Sequence, residues 1–292
     1  MTSRPTRRDF LAHTFAGAAA LSFAGPSAAA EPKILFGACQ GPDKAATMKA
    51  AGYDFIELGV ASLLMPSAPE AEFEAKTEKM GVLSLPIRSA AGFFPGTMRL
   101  TGPDVKIDEV LKHADTCFRR AKKVGMPFIV LGSGGARKIP DGFDPAKARD
   151  QFVEICRKLG PLAAPHGVTV VLEPLNKGET NFFNSVAEGV GLVDAIAHPN
   201  VQLLADIYHM LREDEGPESI LKAGARLRHC HIAEKESRTS PGTKGDDFRP
   251  YFKALKTIGY QGGVSVEGKW GKPVEDELPR ALKAMKEQCA SA

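Results

Sequence analysis

Four side chains that are able to bind metal each end a short apolar run in the second half of the sequence. They are Glu173 in VVLEPLN, Asp206 in LLADIYH, His231 in RHCHIAE and Glu267 in VSVEG. A buried carboxylate costs free energy unless a cation or a proton accompanies it, and one divalent ion would satisfy all three carboxylates. Three oxygens and one nitrogen form a fairly hard ligand set. This set favours Mn²⁺, Mg²⁺ or Co²⁺, and it also admits Zn²⁺.

The segment ADIYHM at 205–210 admits two interpretations. In the first, Asp206 caps the helix that follows, and His209 is a satisfied polar group or orients a ligand. In the second, Asp206 binds a metal and His209 points at a substrate oxygen from the next turn. Choosing between the two interpretations requires the rest of the chain.

Short runs rich in Val, Ile and Leu alternate with longer amphipathic stretches along most of the chain, and Gly or Pro usually stands at the joins. Eight such pairs follow one another, with no true sequence repeat. The predicted strands are 34–38, 55–60, 83–87, 128–133, 168–174, 201–206, 227–233 and 263–268.

Eight strand and helix units in one chain of this length predict an α/β fold, a single (β/α)8 TIM barrel over residues 31–292. The rival open sheet would need a glycine-rich phosphate loop after its first strand, and GACQGP is not G-x-G-x-x-G. In a barrel the ends of the strands meet at one rim. Residues distant in sequence can therefore meet there at ligand distance.

Further polar residues lie near other strand ends. Glu57 and Arg88 are expected to close strands two and three, where they either line a substrate site or pair across the rim. His229 shares strand parity with His231, so we expect a hydrogen-bonded residue one layer lower in the barrel. The glycine-rich segment 132–138 either cradles a phosphate or borders the pocket as a loop.

The motifs LEPLN, ADIYHM, HCHIAE and SVEG, in this order, resemble those of the xylose-isomerase-like barrels of the tagatose 3-epimerase and hydroxypyruvate isomerase group, also labelled sugar phosphate isomerase/epimerase. The resemblance implies that Glu173, Asp206, His231 and Glu267 hold one divalent metal ion, with Mn²⁺ ahead of Mg²⁺, Co²⁺ and Zn²⁺. It also implies that Glu173 and Glu267 are catalytic and move protons.

The same resemblance places Glu179, His209 and Arg238 against the substrate. Two departures limit the transfer of substrate identity. Arg238 lies seven residues after His231, where the epimerases have six, and the last motif continues as EGKW where they typically have Pro.

The chemistry that the resemblance implies is metal-dependent isomerisation or epimerisation of a sugar or keto-polyol. A carboxylate removes a proton next to a carbonyl, and the resulting enediolate is protonated again. The alternative is a lyase or dehydratase of 3-keto-glycosides or keto-cyclitols through the same enolate. A non-catalytic periplasmic sugar-binding protein and a nuclease similar to AP endonucleases are weaker alternatives.

The N-terminal segment TRRDFLA at 6–12 resembles a twin-arginine export signal, because the pair Arg7 and Arg8 precedes Phe and Leu at the expected places. An Ala-rich stretch then reaches an A-x-A cleavage site at 28–30. We therefore predict a signal peptide over residues 1–30 and a periplasmic enzyme.

Removal of that segment would leave 35 basic and 34 acidic residues. The charge balance gives no basic surplus for nucleic acid or for a membrane surface. The expected partner is therefore a small carbohydrate, with neither nucleic acid nor membrane after signal cleavage. The sequence leaves a homo-oligomer open.

Overall fold

Eight parallel strands follow one another around a closed barrel in the computed structural model, which describes residues 33–271 and 273–292. Each strand pairs with the next, and the eighth pairs with the first. The barrel prediction is confirmed, whereas the predicted signal segment 1–30 lies outside the described residues. The strands are β1 Leu35–Cys39, β2 Phe55–Gly59, β3 Ile87–Ala91, β4 Phe128–Leu131, β5 Thr169–Leu172, β6 Val201–Asp206, β7 Leu227–Ile232 and β8 Gly263–Val266.

Helices surround the barrel, and local signals explain where several of them begin. Asp144 accepts from two backbone N–H groups at the start of the helix Pro145–Ala163, and Ser185 accepts from one, that of Glu188, at the start of the helix Val186–Ile196. Among the described helices, none is long and apolar enough to span a membrane. The helices are α1 Ala45–Ala51, α2 Val60–Leu63, α3 Glu70–Met80, α4 Ile107–Lys123, α5 Gly134–Arg137, α6 Pro145–Ala163, α7 Val186–Ile196, α8 Ile207–Arg212, α9 Glu218–Ala223, α10 Arg249–Thr257 and α11 Val274–Ala290.

The third strand differs from its prediction. The run LSLPI at 83–87 was expected to form the strand, but β3 begins only at Ile87 and continues through RSAA. Proline has no backbone N–H for a sheet ladder, so Pro86 precedes the strand and only its carbonyl accepts, from Ile56. Arg88 therefore lies near the start of β3, and its predicted position at the strand end is wrong.

The interior of the barrel has an apolar side and a polar side. Val130, Val171 and Leu204 form a small apolar cluster inside the barrel, separate from the larger core between strands and helices. On the polar side the buried groups are Glu57, Ser89, His229, His231 and Ser265. The polar side chains supply the site described below.

Candidate metal centre and active site

The structure brings together the four residues at the ends of the last four strands. Glu173 directly follows β5, Asp206 ends β6, His231 is the penultimate residue of β7, and Glu267 directly follows β8. Each offers one ligand atom, and these four atoms all lie within 4.8 Å of one another. Three of the side chains are at most 5% exposed, and the Glu267 side chain is 28% exposed. The cluster therefore opens toward solvent on the Glu267 side.

The ring of His231 is held in one orientation. Its Nδ1 lies 2.9 Å from Glu173 Oε1 and 3.3 Å from Glu267 Oε2. Its Nε2 lies 2.9 Å from Glu57 Oε1. With Nε2–H donated to Glu57, Nδ1 is the atom that faces the cluster and is able to bind a metal.

The crowding of charges shifts the pKa values of the cluster. Burial raises the pKa of Glu173, and it raises that of Asp206 to about 6; in both, the charge of Glu267 adds to the shift. Although burial opposes it, the charges of His231 and Arg238 lower the pKa of Glu267 to about 2. Buried carboxylates that resist ionisation together are suited to a divalent cation, so the residues fit one.

Asp206 fulfils both interpretations of the ADIYHM segment. Its Oδ1 accepts from the backbone N–H of Tyr208 at 2.8 Å and so caps α8. Its Oδ2 lies 3.4 Å from His209 Nε2 and 3.3 Å from Arg238 Nη2, on the side of the cluster. One oxygen of the carboxylate therefore caps the helix, and the other faces the cluster.

His209 is buried and neutral, with a defined tautomer. Its Nδ1 accepts from the backbone N–H of Asn176 at 3.1 Å and lies 2.8 Å from Asn176 Nδ2. Nε2 then carries the proton, and it is a buried atom with no hydrogen-bond partner among the described residues. Burial lowers the pKa of His209. An unsatisfied buried donor beside the cluster is able to donate to a ligand oxygen.

Arg238 links the predicted substrate residues to the metal-competent residues. Its guanidinium contacts the carboxylates of Glu267, of Asp206 at 3.3 Å and of Glu179 at 3.5 Å. It also lies 4.7 Å from the centre of the Tyr208 ring. All three predicted substrate residues therefore border the cluster, and Glu179 is the most exposed of them.

Arg238 lies in the loop after β7, and a buried carboxylate, that of Glu234, holds this loop. The sequence alone did not indicate this residue. Glu234 is fully buried, and it accepts from the backbone N–H groups of Gly242, Lys244 and Gly245. Arg238 itself has a φ of 55°, a left-handed conformation that costs free energy in a non-glycine residue. Glu234 also accepts from Oγ1 of Thr239, the residue after Arg238, at 3.1 Å, so it ties both parts of the loop to the end of β7.

The segment 132–138 supports Glu173. The buried guanidinium of Arg137 donates to the carbonyls of Gly132 at 2.7 Å, Phe182 at 2.7 Å and Glu173 at 2.8 Å. A Cβ added at Gly132 would lie 2.1 Å from Glu173 Oε2. Glycine at this position therefore leaves the space that the glutamate side chain occupies.

Glu57 has a role that neither predicted alternative describes. It is fully buried and does not pair with Arg88 across the rim. Its carboxylate lies 2.9 Å from Nε2 of His229 and from Nε2 of His231, and it accepts from Ser89 Oγ at 2.7 Å. The prediction that His229 is a hydrogen-bonded residue of the barrel interior is confirmed. The partners of Glu57 are 172 and 174 residues away, so no local pattern marks them.

A closed eight-stranded barrel with carboxylates and an imidazole at one rim defines a class of enzymes rather than a single activity. Residues 45–288 match the family model described as xylose isomerase-like TIM barrel, and the chain belongs to that family. Its relatives are sugar epimerases and isomerases, and this chain is an enzyme of that class.

Three known proteins illustrate the similarity. L-ribulose 3-epimerase of Methylomonas sp. is 32% identical over 80% of this chain and 79% of its own length. The 3-dehydro-D-guloside 4-epimerase of Escherichia coli is 27% identical over 76% of this chain and 84% of its own length. The crystal structure of D-allulose 3-epimerase from Methylomonas sp. in complex with D-allulose superposes with a TM-score of 0.71 at 25% identity, covering 88% of this chain and 98% of that one.

Proposed function

We propose that this enzyme is a divalent-metal-dependent epimerase or isomerase of a keto-sugar, and that it acts on the carbon next to the carbonyl. One observation carries the proposal. Glu173 and Glu267 come from β5 and β8, and both reach the same nitrogen of His231, at 2.9 Å and 3.3 Å. Two carboxylates that border the same site allow one to remove a proton and the other to return it.

Glu173, Asp206, His231 and Glu267 would hold the ion. The donor set suits Mn²⁺, Mg²⁺ or Co²⁺ and also admits Zn²⁺, and the resemblance to the epimerases favours Mn²⁺ among them. When bound, such an ion acts as a Lewis acid and lowers the cost of negative charge on the oxygens of an enediolate.

The chain's own groups account for the remaining steps. One glutamate removes the proton next to the carbonyl, and the other returns a proton to the opposite face, which inverts the carbon. His209 donates its free Nε2–H to a substrate oxygen. Arg238 and Glu179 hold hydroxyl groups of the sugar at the exposed edge of the site. Return of the proton to the neighbouring carbon would give aldose and ketose isomerisation instead.

The names of the relatives support this chemistry. A ketose 3-epimerase inverts the carbon next to a carbonyl at position 2, and a 3-dehydro-glycoside 4-epimerase inverts the carbon next to a carbonyl at position 3. The two reactions share an acidic C–H beside a ketone. We therefore propose a keto-sugar substrate, either a free ketose or a 3-keto-glycoside.

Product analysis tests the proposal. The Mn²⁺-loaded enzyme is incubated with a panel of ketoses, keto-cyclitols and 3-keto-glycosides, and the products are identified by NMR. We expect an epimer or an aldose from at least one ketone. An unsaturated ketone with release of an aglycone or water, and no interconverted sugar from any substrate, would replace this proposal with a lyase.

We further propose that the enzyme acts in the periplasm after twin-arginine export. The pair Arg7 and Arg8 is the sequence feature that supports this location. Replacing both arginines with lysine should leave the precursor in the cytoplasm, measured by cell fractionation. Normal export of the double variant would contradict the proposal.

A further inference from the structure

A separate cavity of about 400 Å³ opens at the opposite end of the barrel, where the strands begin. Its walls include the first residues of three strands, Phe128 of β4, Thr169 of β5 and Leu227 of β7. The segment 258–262, which leads into β8, also lines it. None of the residues of the candidate metal centre lines this cavity.

Two arginines, Arg88 and Arg228, provide the charge of this cavity. No aspartate or glutamate of the described chain lines it, and neither arginine forms a salt bridge with a described acidic residue. The Nε atom of Arg88 is buried and lacks a hydrogen-bond partner there. A buried N–H donor without an acceptor costs free energy. With two arginines and no acidic side chain among the described residues that line it, the cavity also holds uncompensated positive charge.

Aromatic rings hold the Arg88 guanidinium in place. Its Cζ lies 5.3 Å from the centre of the Phe128 ring and 5.9 Å from that of the Phe55 ring. Both rings contact His229, which lies deeper in the barrel. These aromatic contacts restrain the guanidinium, and guanidinium groups bind oxyanions through their N–H donors.

We propose that this cavity is a binding site for a small anion that carries a phosphate or carboxylate group, held by Arg88 and Arg228. Several helices end at this face of the barrel, among them α10 at Thr257. The C-terminal end of a helix repels anions. Binding must therefore depend on the two arginines, and this dependence makes the proposal testable. It does not rest on the proposed function.

The site is tested by isothermal titration calorimetry with two probes, inorganic phosphate and citrate. Phosphate and citrate are both able to bind a metal ion, so each titration is repeated in the full-length Asp206→Ala variant, which lacks a ligand of the candidate metal centre. Because Asp206→Ala also releases Arg238 from one carboxylate, binding is attributed to the cavity only if it persists in this variant and is weakened by replacement of the cavity arginines. We expect at least one probe to bind with a dissociation constant of about 1 mM or below. Preference for one probe identifies the anionic group.

Two variants and a control assign the binding to the arginines. Arg88→Gln and Arg228→Gln should each weaken binding about tenfold, because each removes charge-assisted hydrogen bonds. Arg228 is exposed, so its replacement tests the site even if Arg88→Gln disturbs the barrel. Arg226→Gln is the matched control, because Arg226 lies two residues away and is paired with Asp194 at 2.5 Å. Failure of both probes to bind, or equal weakening by Arg226→Gln and Arg228→Gln, would overturn the proposal.

Discussion

The two halves of the barrel present different chemistry at the same rim. Strands β5 to β8 lead directly to Glu173, Asp206, His231 and Glu267. Strands β1 to β4 end instead in Cys39, Gly59, Ala91 and Leu131. The second half therefore supplies every member of the carboxylate and imidazole cluster, although both halves have the same strand and helix architecture.

Residues of the first half support the cluster without belonging to it. Glu57 of β2 holds His231 through a 2.9 Å hydrogen bond, and Gly132 after β4 leaves room for Glu173. We therefore propose that the second half binds the metal and carries out the reaction, whereas the first half orients the metal ligands. Variants in the second half should therefore have larger effects than variants in the first half.

The largest expected effect is the loss of metal from Asp206→Ala. The remaining three ligands would bind a divalent ion poorly, so elemental analysis should find no stoichiometric metal while circular dichroism shows a folded barrel. Asp194→Ala is the matched control, because Asp194 is exposed and distant from the rim cluster. A full equivalent of metal in Asp206→Ala would refute the site.

The second effect concerns the two glutamates. Glu173→Gln and Glu267→Gln keep an oxygen that faces the cluster but remove the base, so each should lower kcat by ~10² or more. The expected difference between them lies in exchange. The variant that retains the proton-removing carboxylate should release substrate hydrogen into solvent without completing turnover, as NMR would show. Normal turnover by either variant would contradict its catalytic role.

Glu57→Gln tests the first half of the barrel. The amide still fills the space but no longer offers a carboxylate to His231 and His229, so metal affinity should decrease about 10- to 100-fold. Metal titration monitored by calorimetry measures the change. An unchanged affinity would show that Glu57 only fills the interior, and the division between the halves would lose its main support.

Metal binding should depend on pH because of the cluster's carboxyl groups. Burial raises the pKa of Asp206 to about 6, so below that pH the metal must displace a proton from this ligand. Apparent affinity should therefore decrease as the pH falls through about 6, by about tenfold per pH unit for each ligand proton that the metal must displace. A metal affinity that rises as the pH falls would contradict this expectation.

The smallest expected effect comes from Gly132→Ala. The added Cβ would lie 2.1 Å from Glu173 Oε2, so the carboxylate must shift, and kcat should decrease about tenfold. Gly191→Ala is the matched control, because a Cβ there meets nothing within 4 Å. Equal activities of the two variants would show that the position of the Glu173 carboxylate is not set by Gly132.

The sequence was sufficient to predict the barrel and the second half of its rim because the signals are local. A carboxylate that ends an apolar run, as Glu173 and Asp206 do, is visible without knowledge of distant contacts. The predicted boundary of β3 was wrong because Pro86 interrupts the apolar run and the true strand is rich in small residues. Arg88 was consequently assigned to the wrong end of the barrel.

The parts of the site that escaped prediction depend on contacts across the fold. Glu57 and His231 are 174 residues apart, and Asn176 and His209 are 33 apart. Glu234 is one polar residue among many in its loop until backbone N–H groups from 242–245 are seen to surround it. These supporting contacts form only when the barrel closes and brings distant segments together. Periodicity and spacing along the sequence do not reveal them.

The most direct test of the account is incubation of the Mn²⁺-loaded enzyme in D₂O with the panel of ketoses and 3-keto-glycosides. We expect one deuterium at the carbon next to the carbonyl, in a product that is the epimer or isomer of the substrate, because a glutamate removes one proton and a solvent-exchanged proton returns. The Asp206→Ala variant should incorporate none. Interconversion of a sugar without deuterium at that carbon, in the presence of full exchange of hydroxyl protons, would contradict proton transfer by Glu173 and Glu267.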